Sequence, residues 1–154
     1  MKSEIVMGDR RLQITRVFEA PRPLVFAWWT KAEKLRQWSG CKEAVACEIE
    51  MDFRVGGAFT QKMQLAVHGT TCEFSFRGVY LEIARPERIV YQAIFGDVTT
   101  QVTVEFHETA RGTKVVLTHE GFPDPFFSQN VSQGTAESFD KLDALVAQEA
   151  VAAQ

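Results

Sequence analysis

The side chains best suited to catalysis are few and scattered in this sequence. Its three histidines are His68, His107 and His119. Glu108 follows His107, but position 111 is arginine, so the H-E-x-x-H pattern that places two zinc ligands on one helical face is absent. The sequence also has no G-x-S-x-G elbow, no G-x-x-x-x-G-K-[ST] phosphate loop and no G-x-G-x-x-G motif. The sequence therefore has no recognisable catalytic motif, so no catalytic residue is assigned, and we expect no metal and no cofactor.

Three polar side chains stand where strand alternation would place apolar ones. Gln61 shares the phase of Phe59, Tyr91 lies inside "ERIVYQAIF", and His119 ends the run "VVLTH". A buried polar group is costly unless it is hydrogen-bonded, so each of these needs a partner. Two interpretations of His119 stay open. It either bonds a nearby backbone carbonyl, or it orients or protonates a ligand near neutral pH.

The elements that position these groups follow from the hydrophobic period. Residues 12–20, "LQITRVFEA", alternate between apolar and polar as a half-buried strand does. Pro21 and Pro23 then predict a helix start, because proline is tolerated in the first turn. The first short helix is expected from about Pro23 to near Thr30. A second one in "AEKLRQWSG" is expected to end at Gly40.

From residue 43 to residue 120 the period is two, which predicts strands. Together with the first strand this makes about seven strands in an antiparallel meander. The turns are expected at His68-Gly69, Arg85-Pro86, Gly96-Asp97 and Arg111-Gly112. The same alternation points Glu48, Glu50 and Asp52 toward solvent, so paired-carboxylate chemistry is not expected there.

The end of the sequence changes period again. Residues 121–128, "GFPDPFFS", predict a proline-broken loop, and a helix is expected from about Gln129 to Ala150. Its apolar stripe consists of Ala136, Phe139, Leu142, Leu145, Val146 and Ala150. A long amphipathic helix needs an apolar surface to cover, and the inward face of the sheet is the large one available.

Composition excludes several functional classes. The 154 residues fit one domain, 1–154, with its core at about 12–146. The net charge is -3 and the basic residues are scattered, so nucleic-acid binding is not expected. With no apolar run of about 20 residues and no signal-peptide core, we expect no membrane partner and a cytoplasmic location. Three cysteines without a C-x-x-C pair predict neither a disulfide framework nor a zinc site.

The order strand, two short helices, six strands and long helix resembles the α+β helix-grip fold of the START-like (SRPBCC) superfamily. Within it, the chain is similar to the AHSA1-like branch, named after the C-terminal domain of the activator of Hsp90 ATPase. The similarity covers about 12–146. Its landmarks, in order, are "APRPLVFAWWT", "LRQW", "GGAF", "GVYLEIARPERIVYQ", "VTVEF", "GTKVVLTHEG" and "GTAESFDKLDALV". The family often has a tryptophan after the glycine of the last helix, whereas Thr135 follows Gly134 here.

This resemblance implies a curved antiparallel sheet around the C-terminal helix, with a cavity between them that the short helices close at one end. The residues expected at the cavity are Trp29, Trp38, Phe59, Gln61, Met63, Phe74, Phe76, Tyr91, Phe106, His119 and Phe139. An aromatic, methionine-containing lining suits apolar ligands. A filled core made by the same side chains is the alternative. Phe122, Phe126 and Phe127 are expected to form a lid over the cavity or a dimer contact.

Three functions from different classes follow. The first is binding of a small hydrophobic or aromatic molecule in the cavity, and the second is an enzyme acting on such a molecule there. The third is a chaperone-associated interaction module. We expect no Hsp90 binding, because no part of this sequence corresponds to the N-terminal domain that makes the main chaperone contact in the eukaryotic activator. A homodimer fits the resemblance, although no sequence feature demands it.

Overall fold

The computed structural model describes residues 3–39 and 44–152, and these form a helix-grip fold. Within the described ranges, one open antiparallel sheet contains eight strands in the order β1-β2-β8-β7-β6-β5-β4-β3. The elements are β1 Glu4–Met7, β2 Arg11–Phe18, α1 Arg22–Ala27, α2 Ala32–Trp38, β3 Ala44–Met51, β4 Ala58–Val67, β5 Thr70–Ala84, β6 Arg88–Phe95, β7 Val98–Thr109, β8 Gly112–Glu120 and α3 Pro125–Ala152. The predicted fold class is confirmed.

The strand missing from the prediction is β1. It pairs antiparallel with β2, with Val6 opposite Gln13. All four of its side chains are exposed, so the segment has no alternation of buried and exposed positions from which a strand can be predicted. Its pairing with β2 depends on main-chain hydrogen bonds, which any sequence supplies.

The strands from β4 to β8 are joined at the predicted turns. Between β4 and β5, His68 and Gly69 have φ angles of 51° and 79°. Two consecutive residues with positive φ form the kind of tight hairpin turn whose twist matches that of the flanking strands. These turns put consecutive strands side by side and set the register of the sheet.

The two short helices are held together by a tryptophan. Pro21 precedes α1, and Pro23 occupies its first turn, as predicted. The helix ends at Ala27, before Thr30, and α2 ends at Trp38. The indole Nε1 of Trp38 donates a hydrogen bond of 3.1 Å to the carbonyl of Trp28. The predicted cap at Gly40 lies outside the described residues.

The start of α3 was predicted too late. The helix begins at Pro125 instead of Gln129, so "GFPDPFFS" is loop only up to Asp124. A carboxylate oxygen of Asp124, Oδ1, accepts a hydrogen bond of 2.8 Å from the backbone N–H of Phe127. Asp124 is therefore an N-cap and Pro125 the first helical residue, a combination that starts helices rather than breaking them.

The long helix is docked on β2 by both apolar and ionic contacts. Phe18 and Phe139 are fully buried, with ring centroids 5.7 Å apart. Arg16 stands on the same face of β2 and is only 5% exposed. Its guanidinium hydrogen-bonds Asp140, and its Nη2 lies 2.9 Å from Oδ2 of Asp143. These contacts anchor α3 on β2, the strand next to the edge strand β1.

Candidate functional site

A cavity of about 610 Å³ separates α3 from the central strands of the sheet. Its aromatic lining consists of Trp29, Trp38, Phe59, Phe74, Phe76, Tyr80, Tyr91, Phe95, Phe126, Phe127 and Phe139. Apolar side chains without rings, among them Met63, Ile89 and Leu117, complete the lining. Volume and lining are those of pockets that enclose small apolar molecules.

All the residues predicted from the sequence for the cavity except Phe106 line it. Phe106 is 1% exposed and packs against Phe26 and Trp29, at centroid distances of 5.1 and 5.0 Å. It points to the same side of the sheet as the lining, but α1 covers that part of β7. Placing Phe106 at the cavity was therefore wrong. Alternation predicts the face of a strand but not which element covers each position along it.

The tryptophans combine the two roles that the sequence left open. Trp29 and Trp38 are 4% and 6% exposed, lie 4.8 Å apart and both line the cavity. Trp38 also packs against Phe139 of α3 at 6.1 Å. They are core residues that form the end wall of the cavity. Trp28 packs elsewhere, under the ammonium group of Lys34 at 4.2 Å.

The lid candidates belong mainly to the first turn of α3. Phe126 is 75% exposed at the rim of the cavity, while Phe127 lines it and packs 5.3 Å from Phe95. Phe122 is 1% exposed, with its ring 4.5 Å from His119. Phe122 is thus a core residue that supports the wall. A gating role for Phe126 and Phe127 stays a prediction.

His119 is buried and uncharged. Its Nε2 lies 2.7 Å from the hydroxyl of Thr100, which itself donates to the carbonyl of Ala93 at 2.7 Å. Because the single hydroxyl hydrogen of Thr100 is used in that bond, the imidazole must carry its hydrogen on Nε2. Burial lowers the pKa of His119 to about 3. The imidazole thus bonds the hydroxyl of Thr100 instead of a backbone carbonyl, and this hydroxyl in turn bonds the carbonyl of Ala93. A neutral imidazole with this pKa does not protonate a ligand near pH 7.

The other polar positions are set by the register of the sheet. Tyr80, Tyr91, Val102 and His119 pair in succession across β5, β6, β7 and β8. The side chains of one such row point to the same face. Tyr80 and Tyr91 lie 6.0 Å apart, and burial raises the pKa of both hydroxyls. They are therefore protonated hydrogen-bonding groups at neutral pH.

Gln61 lines the cavity from β4. Burial raises the pKa of the neighbouring Cys47 thiol, and Lys141 and a side-chain hydrogen bond from Gln61 partly offset the rise. The protein thus supplies a hydrogen-bond partner, the Cys47 thiol, for the Gln61 amide.

Tyr80 and Phe95 line the cavity but were not predicted from the sequence. The alternation of the sequence nevertheless indicates both residues. Tyr80 has the phase of Phe74 and Phe76 along β5, and Phe95 has the phase of Tyr91 along β6. Following each alternation to the end of its strand finds both. Phe74, which also lines the cavity, is 39% exposed.

The described residues contain neither a cluster of metal ligands nor a membrane-spanning helix. Among residues 3–39 and 44–152, no three histidine, cysteine or acidic side chains are grouped closely enough to hold a metal ion. Over the same ranges, no helix has both the length and the apolar character needed to cross a bilayer.

Sheet, helix and intervening cavity together define a protein of the helix-grip class. The sequence model of the family described as "Activator of Hsp90 ATPase homolog 1-like protein" matches residues 19–147. The chain therefore belongs to this family, as its sequence landmarks predicted. Comparison with curated proteins finds no match.

Solved structures share the fold over nearly the whole chain. A protein from Chromobacterium violaceum has a TM-score of 0.81 and 28% sequence identity, covering 89% of this chain and 96% of its own. A Rhodobacter sphaeroides protein has a TM-score of 0.81 at 20% identity, with 96% and 99% covered. The AHSA1 protein from Silicibacter pomeroyi has a TM-score of 0.76 at 22% identity, with 90% and 99% covered. The last two likenesses concern the fold alone.

Proposed function

We propose that this protein binds a small hydrophobic or aromatic molecule in the cavity between α3 and the sheet. The observation that supports this proposal is the cavity itself, which has a volume of about 610 Å³ and is lined mainly by aromatic rings. Protein interiors are normally close-packed, and an apolar space of this size costs stability unless something fills it. The family also has a fold that commonly binds hydrophobic ligands, which supports the same function.

The geometry favours binding over catalysis. His119 is neutral and already engaged with Thr100, and the tyrosine hydroxyls keep their protons because burial raises their pKa. None of these groups has the pKa near neutrality that suits a general acid or base. A cytoplasmic location, a homodimer and the lack of Hsp90 binding remain part of the proposal as predictions.

The proposal is tested by filling the cavity from α3. Thr135 lines it, at the position where the family often has tryptophan. The uncharged dye N-phenyl-1-naphthylamine should bind the unmodified protein at one site with a rise in fluorescence. Thr135→Trp should weaken that binding at least about tenfold, since the indole occupies the space a ligand would use.

The matched control is Ala144→Trp, which adds the same side chain to an exposed position of the same helix. It should leave dye binding unchanged. Thermal unfolding of both variants checks that each is folded. Equal dye binding by the two variants, or no saturable binding by the unmodified protein, would contradict the proposed function.

A further inference from the structure

The cavity lining contains polar groups that have no partner among the described residues. Nδ1 of His119 and the hydroxyls of Tyr80 and Tyr91 make no hydrogen bond to any described residue. All three residues line the cavity, and none of these three atoms is completely buried. Because buried polar groups in proteins are almost always hydrogen-bonded, these atoms indicate what a bound molecule must supply.

His119 can only accept a hydrogen bond from such a molecule. The hydrogen on Nε2 is donated to Thr100, whose own hydrogen goes to the carbonyl of Ala93. Nδ1 therefore presents a lone pair. The ring is held in place between Phe95 and Phe122, at centroid distances of 6.2 and 4.5 Å. A ligand donor, such as a hydroxyl or N–H, is the group that this atom fits.

Tyr80 and Tyr91 belong to the same row of paired residues across the strands as His119, at its other end. Tyr91 and His119 are separated by Val102, so their backbones are two strand spacings, about 10 Å, apart. Tyr80 is one strand further on, and the rings of both tyrosines pack against Phe59 at 5.3 and 5.4 Å. Their hydroxyls can donate to an oxygen of a ligand. The separation suits a molecule of about two fused rings with one polar group at each end.

The charge of the lining restricts the ligand further. Among the described residues around the cavity there is no lysine or arginine, and the ionisable acid among them is Glu137. The ammonium group of Lys141 lies 3.5 Å from the carbonyl oxygen of Ser39, but Lys141 itself is not a lining residue. Moving a carboxylate from water to the row of His119 and the tyrosines would therefore remove its hydration without placing a lining lysine or arginine beside it. The lining therefore disfavours anions.

We propose that the cavity selects an uncharged aromatic molecule whose hydroxyl or N–H donates to Nδ1 of His119 and whose opposite end offers an oxygen to Tyr80 and Tyr91. This ligand class rests on the proposed binding function. It explains why otherwise unpartnered polar atoms occur in an apolar lining.

The test is calorimetric titration at neutral pH with four related probes. 2-Naphthol should bind about five- to tenfold more tightly than 2-methoxynaphthalene, which has the same rings but no donor. 6-Acetyl-2-naphthol, with a carbonyl at the far end, should bind more tightly than 2-naphthol by a similar factor. 2-Naphthoate, which carries a negative charge, should bind at least about 100-fold more weakly than 2-naphthol.

Variants then assign each preference to its residue. His119→Phe keeps a ring between Phe95 and Phe122 and should abolish the preference for 2-naphthol over 2-methoxynaphthalene. His107→Phe, the same change at an exposed position, should keep it. Tyr91→Phe together with Tyr80→Phe should abolish the gain from the acetyl group and keep the naphthol preference.

The outcomes separate this inference from the function on which it rests. If 2-methoxynaphthalene or 2-naphthoate binds as tightly as 2-naphthol, the ligand class is wrong while the cavity still binds apolar molecules. If none of the four probes binds, and the naphthylamine dye does not bind either, the binding function itself fails. The comparison of probes on the unmodified protein decides the first point even if a variant does not fold.

Discussion

At the scale of single residues, the environment of His119 makes stability depend on pH. The residue is 5% exposed, and its pKa is lowered to about 3, whereas an unfolded histidine titrates near 6.5. Below pH 6.5 the unfolded chain gains a proton that the folded protein does not take up. The free energy of unfolding should therefore fall between pH 6.5 and pH 3, by about 2 kcal/mol at pH 5 relative to alkaline pH.

Urea unfolding at pH 7 and pH 5 measures this contribution. The unmodified protein should lose about 2 kcal/mol more over this interval than His119→Phe, whose side chain does not titrate. His107→Phe removes an exposed histidine and should lose as much as the unmodified protein. An identical loss in His119→Phe would show that His119 is protonated in the folded state.

At the scale of elements, α3 depends on its first turn. Asp124 Oδ1 accepts from the N–H of Phe127 at 2.8 Å, and Pro125 fixes the first helical φ angle. Asp124→Ala should lower the free energy of unfolding by about 1 kcal/mol, because the N–H loses its partner. Asp124→Asn retains a capping oxygen and should cost much less in the same urea experiment. Equal losses in the two variants would mean that the charge, not the cap, stabilises this turn.

At the scale of the whole molecule, the helix is clamped along β2 and stands away from the central strands, which leaves the cavity. Arg16 is the ionic part of this clamp, buried at 5% exposure, while Asp140 is 68% exposed. Asp140→Asn alone should cost at most about 1 kcal/mol, since solvent screens that carboxylate. Replacing both Asp140 and Asp143 by asparagine should cost about 2 to 3 kcal/mol, because Arg16 then remains buried without a counter-charge.

Urea unfolding of the single and double variants checks this prediction. Arg16→Met in the double variant is the matched control, because it removes the unpaired charge and should recover part of the lost stability. A double variant as stable as the unmodified protein would show that Phe18 and Phe139 hold the helix without the ions.

Several features of the fold and site were predictable because they depend on local periodicity. Alternation along β4 and β6 placed Phe59, Gln61 and Tyr91 on the inward face, where the structure has them. Arg16 occupies a position in β2 where alternation predicts an apolar side chain, which is a local signal of its buried ionic contacts. Asp124 followed by Pro125 is an equally local signal of the helix start. β1 was missed since its exposed side chains have no period.

By itself the sequence determined which face of each strand and helix is apolar, because side-chain direction repeats every 2 residues in strands and every 3.6 in helices. The helix-grip class followed from the resemblance of its landmarks to the AHSA1-like family. Only the tertiary structure decided that α1 covers Phe106, that His119 bonds Thr100, and that space remains beneath α3. These facts depend on how far apart distant elements come to rest. The cavity lies where α3, docked on β2, stands away from the central strands, and no local sequence pattern specifies that distance.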